Sequence, residues 1–233
     1  MLNIIPVDET VKNKGVPLAS KCSWCSQPQE ESTLNLFFRS NIATQIWSEL
    51  FNLLHFSNMD FSAVLEGVIA FLARPKIITT TDHLIRCTFM AVMWEVWCSR
   101  NRARLQAEAL ALRDGLSICC RKGITEVLVE TDSLNLLQIL TKQIACPWDF
   151  ACIMQHIAAK TQKLEVEITH APRETNGVAD CLASFAISCP HFVIWDLWAD
   201  LPTLVKEPYH FDKFNLTQNL DLPNIRIFHP MLN

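Results

Sequence analysis

From His83 to Asp114 the chain contains neither proline nor glycine, and Gly115 alone interrupts the run before Gly123. An unbroken stretch of this length has to form regular structure, and its residue types favour helix. Leu105, Ala109, Leu112, Leu116 and Cys119 recur at i, +4, +7, +11 and +14, which makes one apolar helical face. Thr79-Thr80-Thr81-Asp82 supplies capping residues at the start, and Gly123 supplies a stop. Residues 83–121 are therefore expected as one very long helix, or as two with a bend near Ser99-Arg100-Asn101. The most apolar part, Leu84 to Cys98, is broken by Arg86 and Glu95 and is too short to span a bilayer.

After Gly123 the pattern changes. Glu126-Val127-Leu128-Val129-Glu130-Thr131 is short and β-branched, and reads as a strand. Asp132-Ser133 caps a helix through Thr141, and Asp149 opens another to about Lys163, with Ile153, Ile157 and Ala158 inward. Val166, Ile168 and His170 alternate with Glu165, Glu167 and Thr169, a second strand that Pro172 ends. Thr175 or Asn176 opens a last helix through Ile187. Strand, helix, helix, strand, helix in that order implies two parallel strands with crossover helices.

Residues 1–33 are polar, with Pro6, Gly15, Pro17 and Pro28, and are expected to be irregular. A helix is expected over Leu34 to Leu54, with Phe37, Ile42, Ile46, Leu50 and Leu54 on its apolar face, and a shorter one over Phe61 to Leu72. Residues 190–233 carry Pro202, Pro208, Pro223 and Pro230 and are expected to be extended or loosely docked. Half the residues are apolar, enough to bury a core, and the net charge of −4 argues against a globally basic nucleic-acid binder while leaving room for a local patch. The ten cysteines are scattered, and only Cys22-Ser23-Trp24-Cys25 has ligand-like spacing, so most are expected to be reduced and packed as small hydrophobes. The first ten residues have no signal-peptide pattern, which gives the expectation of a soluble, intracellular protein. Oligomeric state is not legible.

Three acids stand out by position. Glu108 borders the apolar face of the long helix, where an acid is costly unless something pairs with it. Asp132 lies at the carboxyl end of the first strand, where parallel α/β folds gather ligands. Asp180 falls in the second turn of the expected last helix, and His170 ends the second strand. Carboxylates on separate elements are the donor set for magnesium-assisted phosphodiester hydrolysis, and a nearby histidine can move protons. Singly, each has a plainer role: Asp132 as a helix N-cap, Glu108 paired with Arg104 or Arg113, Asp180 on a solvated helix face, His170 as a strand-end residue.

Order and spacing together change that balance. Ala107-Glu108-Ala109-Leu110-Ala111-Leu112-Arg113-Asp114-Gly115-Leu116 resembles the first helix of the ribonuclease H-like domains of plant retrotransposon-derived, reverse-transcriptase-like proteins. Val129-Glu130-Thr131-Asp132-Ser133 resembles their fourth strand with its acid, and His170-Ala171-Pro172-Arg173-Glu174-Thr175-Asn176-Gly177-Val178-Ala179-Asp180 their histidine loop and last acidic helix. The resemblance implies catalytic roles for Glu108, Asp132, Asp180 and His170, with Glu108, Asp132 and Asp180 as Mg2+ ligands. It also implies a fourth carboxylate on an opening three-strand meander. Only ten residues separate Trp97 from Glu108, and they read as helix, so the meander has no room. The expected fold is α/β, a truncated ribonuclease H-like fold lacking its opening three strands, at 103–189, behind a helical region at 34–102.

That helical region resembles the zinc-binding segment which precedes such domains, through Cys22-Ser23-Trp24-Cys25, Leu36-Phe37-Phe38, Ile46-Trp47, Trp94-Glu95-Val96-Trp97 and Arg100-Asn101. The family's later histidine and cysteine ligands fall on Asn35 and Ser40, so zinc is not expected. The resemblance thus implies a ribonuclease H type-1-like, nucleic-acid-binding protein of RNA–DNA hybrid endonuclease ancestry, impaired in catalysis by loss of the first catalytic Asp strand. Arg121, Lys122, Lys142, Lys160, Lys163 and Arg173 are candidates for phosphate contacts to a hybrid. A decayed transposon-derived fragment or a non-catalytic interaction protein is the alternative.

Overall fold

The computed structural model describes residues 5–15, 20, 22, 24, 25, 29–53, 66, 79–172, 176–188, 193, 195, 198–206, 208 and 209. The chain divides into two compact units, one of residues 1–11 and 20–102, the other of residues 12–19 and 103–233.

In the first unit, helix α1 (Asp8–Lys12) shows that the N-terminal segment is not wholly irregular. The helix expected over Leu34 to Leu54 is divided. A π-helical turn, Asn35–Arg39, ends at Ser40, whose backbone is extended, and helix α2 runs from Asn41 to Leu53. Ser40 makes the break because its buried hydroxyl accepts the Ala43 N–H at 3.2 Å, an N-cap that starts the second helix afresh. The restart rotates the buried face. Ala43, Trp47 and Phe51 point inward and Ile42 is exposed, while Phe37 is buried and Ile46 and Leu50 pack half-buried against the same core as the sequence suggests. Leu54 and the expected helix over Phe61 to Leu72 lie outside the described residues.

Trp47 is the centre of this core. It stacks on Phe38 at 5.7 Å and on Phe51 at 6.1 Å, tilts against Phe89 at 5.4 Å, and donates its indole N–H to the Phe37 carbonyl at 2.6 Å. Phe89, Met93 and Val96 come from helix α3 (Thr80–Lys122), which is continuous through Ser99–Asn101. Its start is a reciprocal cap. Thr79 Oγ1 accepts from the Asp82 N–H at 3.1 Å, and an Asp82 carboxylate oxygen accepts from the Thr79 N–H at 3.0 Å.

In the second unit, residues 103–122 of α3 lead to strand β1 (Glu126–Thr131), helix α4 (Leu134–Leu140), a 3-10 turn (Trp148–Phe150), helix α5 (Ala151–Thr161), strand β2 (Glu165–His170) and helix α6 (Gly177–Ser188). The strands are parallel, with Glu126 opposite Glu165 and Thr131 opposite His170. Among the described residues they are the whole sheet. Ala109, Leu112, Leu116 and Cys119 of α3 pack with Val127 and Val129 of β1 and Ile153 and Ile157 of α5. Ala158, expected inward, is exposed, because the preceding 3-10 turn starts the helix at Ala151 and Phe150 takes the buried place. The described part of the tail is helical in places, with a 3-10 turn at Trp198–Asp200 and Val205 buried, and Trp195 sets an edge against Phe185 of α6 at 5.4 Å. No helix among the described residues is long and apolar enough to cross a membrane.

Candidate functional site

The carboxyl ends of β1 and β2 form the best-defined feature. The parallel register ends with Thr131 beside His170, and the Ala171 N–H donates to the Thr131 carbonyl at 2.9 Å, one step past the sheet. Asp132, the first residue beyond β1, is therefore held at the end where His170 leaves β2. Its backbone is pinned from both sides. The Thr131 hydroxyl accepts the Ser133 N–H at 3.1 Å, and the Ser133 hydroxyl accepts the Leu136 N–H at 3.4 Å as the N-cap of α4. Capping is thus done by Ser133, and the plainest structural role for Asp132 is taken by its neighbour. Asp132 is half-buried and His170 is exposed.

Glu108 is half-buried on α3, beside the fully buried Ala109. Its Oε2 atom lies out of solvent and accepts no hydrogen bond among the described residues, while the side chain keeps another interaction. Arg113, one partner suggested for it, instead pairs with Asp114 at 2.7 Å. Asp180 is the fourth residue of α6, at the end of its first turn rather than in its second. It is half-buried, and its N–H donates to the Asn176 carbonyl at 3.2 Å. The strand register brings Asp132 and His170 to one end of the sheet. Among the described residues, no group of three or more His, Cys, Asp or Glu side chains is arranged to hold a metal ion. The donor set among these residues does not make a magnesium cradle.

The cations suggested for phosphate contacts distribute unevenly. Arg121 and Lys122 are exposed at the end of α3, and Lys160 and Lys163 flank the end of α5. These ends lead into the first residues of β1 and β2, where the Glu165 N–H donates to the Thr125 carbonyl at 2.7 Å. Six-residue strands span about 20 Å, so this basic end is the far end of the sheet from Asp132 and His170. Arg173 lies outside the described residues.

One ionic group escaped sequence reasoning. Arg100, 7% exposed, donates from Nε to Glu31 Oε2 at 3.0 Å and from Nη2 to Asp8 Oδ1 at 3.4 Å, with the Trp97 ring 4.9 Å from its guanidinium carbon. Its position was the available signal. Phe89, Met93, Val96 and Arg100 share one face of α3, and an arginine on a buried face requires a carboxylate. Asn35 and Ser40, which stand where the resemblance would place zinc ligands, have other work: Asn35 donates to the Glu30 carbonyl at 3.0 Å, and Ser40 caps α2.

Residues 85–186 match a family described as reverse transcriptase-like. The matched segment includes Glu108, Asp132, His170 and Asp180, and it covers less than half of the chain. No curated protein and no solved structure matches the chain. The α/β architecture with its two-strand parallel sheet and preceding helical region is the truncated ribonuclease H-like fold expected from the sequence.

Proposed function

We propose that residues 103–189 are a ribonuclease H type-1-like module that binds RNA–DNA hybrid and has lost most or all hybrid cleavage. The observation that supports this reading is the β1–β2 register, which ends with Thr131 opposite His170 and so leaves Asp132 and His170 at the same end of the sheet, within the segment matched to the reverse transcriptase-like family. That end is where ligands of parallel α/β folds collect. Glu108 and Asp180 would complete the ancestral set in this reading, and Mg2+ would have been the cofactor of the cleaving ancestor. In this reading catalysis is weak because the described residues from Thr80 to Glu108 are helical and supply no opening strand, while a two-metal displacement needs carboxylates on several elements at once. Residues 34–102 would descend from the zinc-binding segment that precedes such domains in plant retrotransposon-derived proteins, with its later ligands replaced.

The test uses the full chain with a labelled RNA–DNA hybrid in magnesium. Binding that weakens steeply with added salt, with no cleavage above that of Asp132→Asn, is the expected result. Magnesium-dependent cleavage abolished by Asp132→Asn would restore the enzyme. Absence of both binding and cleavage would favour a decayed fragment.

A further inference from the structure

The turn that holds Cys22 and Cys25 in the first unit has chemistry that the proposed nucleic-acid function does not use. The Cys25 N–H donates to the Cys22 carbonyl at 3.4 Å, which brings the two residues together as the ends of a tight turn, and the Cys22 N–H donates to the Gln29 carbonyl at 2.7 Å. Both cysteines are free thiols, and Cys25 is among the groups that act electrostatically on Cys22. A turn of this kind keeps its first and last Cα atoms within the distance a disulfide spans. The two thiols differ in environment: Cys22 is 1% exposed and Cys25 is half-buried. The turn is also anchored, because the Trp24 carbonyl accepts the Asn41 N–H at 3.1 Å, at the first residue of α2, and Trp24 packs against the Trp47 core.

We propose that Cys22 and Cys25 are a redox pair that closes reversibly to an intramolecular disulfide when the protein meets a peroxide. Cys25, the more exposed sulfur, attacks as thiolate one peroxide oxygen. The O–O bond breaks, Cys25 becomes a sulfenic acid, and the departing oxygen leaves as water. Cys22 Sγ then attacks the Cys25 sulfur. The S–O bond breaks, the S–S bond forms, and the released hydroxide takes the Cys22 proton to become a second water. Two thiols lose two electrons, and one peroxide becomes two waters. Burial pushes the Cys22 thiol up to about 12, helped by the adjacent Cys25 thiol and Glu31 and offset by a backbone hydrogen bond from Trp24. It therefore serves as the resolving partner and not as the first nucleophile. Cys119 and Cys120 also adjoin, but as consecutive helical residues they cannot meet the geometry of a disulfide without unwinding α3.

The experiment titrates the reduced full-length chain with hydrogen peroxide, blocks remaining thiols with N-ethylmaleimide under denaturing conditions, and maps the digest by mass spectrometry. The expected product is a peptide in which Cys22 and Cys25 lose alkylation together and the mass falls by two hydrogens, while Cys119 remains alkylatable. Dithiothreitol should restore both sites, and Cys25→Ser should leave Cys22 fully alkylatable after peroxide. The proposal is overturned if Cys25 is recovered as a sulfinic acid or joined to another cysteine. It is equally overturned if both thiols persist at doses that oxidise the exposed Cys87, Cys146 and Cys152.

Discussion

Arg100 shows how one residue can decide the stability of a unit. Its guanidinium is buried between two carboxylates, Asp8 and Glu31, that come from distant parts of the chain. Arg100→Ala removes the cation and leaves two buried acids facing each other, a change expected to cost about 3–5 kcal/mol. The combined D8N/E31Q/R100M variant removes the charges together and should lose distinctly less, as read by urea midpoints. Cys22 adds a pH-dependent effect. Its folded pKa, about 12, stands above the ordinary 9.0, so the unfolded chain gives up this proton first as pH rises. The contribution is fully present below pH 9.0 and is lost between 9.0 and about 12. Unfolding midpoints of the reduced protein should fall across that window, and Cys22→Ala should flatten the fall. At this scale the sequence is only partly informative. Glu108, Asp132, Asp180 and His170 are visible through motif order, whereas the partners of Arg100 are fixed by tertiary packing across a gap of 92 residues to Asp8 and 69 to Glu31.

Among the elements, those with strong local signals read correctly and those decided by a single competing hydrogen bond did not. The long helix α3 had a capping sequence, an unbroken interior and a glycine stop, and all three act as expected. The stop is a Schellman closure: the Ile124 N–H donates to the Cys119 carbonyl at 3.0 Å and the Gly123 N–H to the Cys120 carbonyl at 3.3 Å, with Gly123 at φ +72°. A Cβ there meets nothing within 4 Å, so the cost of Gly123→Ala is the left-handed backbone alone, about 1–2 kcal/mol. Thermal melts should show that loss, and Gly123→Asn should recover part of it. The strands were legible because β-branched residues alternate, and their parallel pairing followed from the helices between them. The α2 region was misread because periodicity carries no mark of Ser40. A serine hydroxyl that caps the next helix outweighs one continuous helical hydrogen-bond ladder, and the apolar face turns with it.

For the whole molecule the question is how a chain of net charge −4 would hold a polyanion. The cations at the strand-start end have a local task that the sequence could not reveal. Glu126 and Glu165 open β1 and β2 directly opposite each other, and like charges in register destabilise a strand pair. Arg121, Lys122 and Lys163 lie within a few residues of those glutamates along the chain, so part of their positive field acts on that pair. A hybrid held at the Asp132–His170 end would instead draw on residues that follow β2, and Arg173 stands three places after His170 in the sequence. The two readings separate in the salt dependence of binding, since each lost phosphate contact lowers the slope of log affinity against log salt by about 1. Arg173→Gln should lower the slope by that amount. The double variant R121Q/K122Q should leave the slope unchanged and lower the unfolding midpoint slightly, because it removes positive charge near the facing glutamates. A slope that falls with R121Q/K122Q and not with Arg173→Gln would move nucleic-acid binding to the opposite end of the sheet and separate it from the carboxylates.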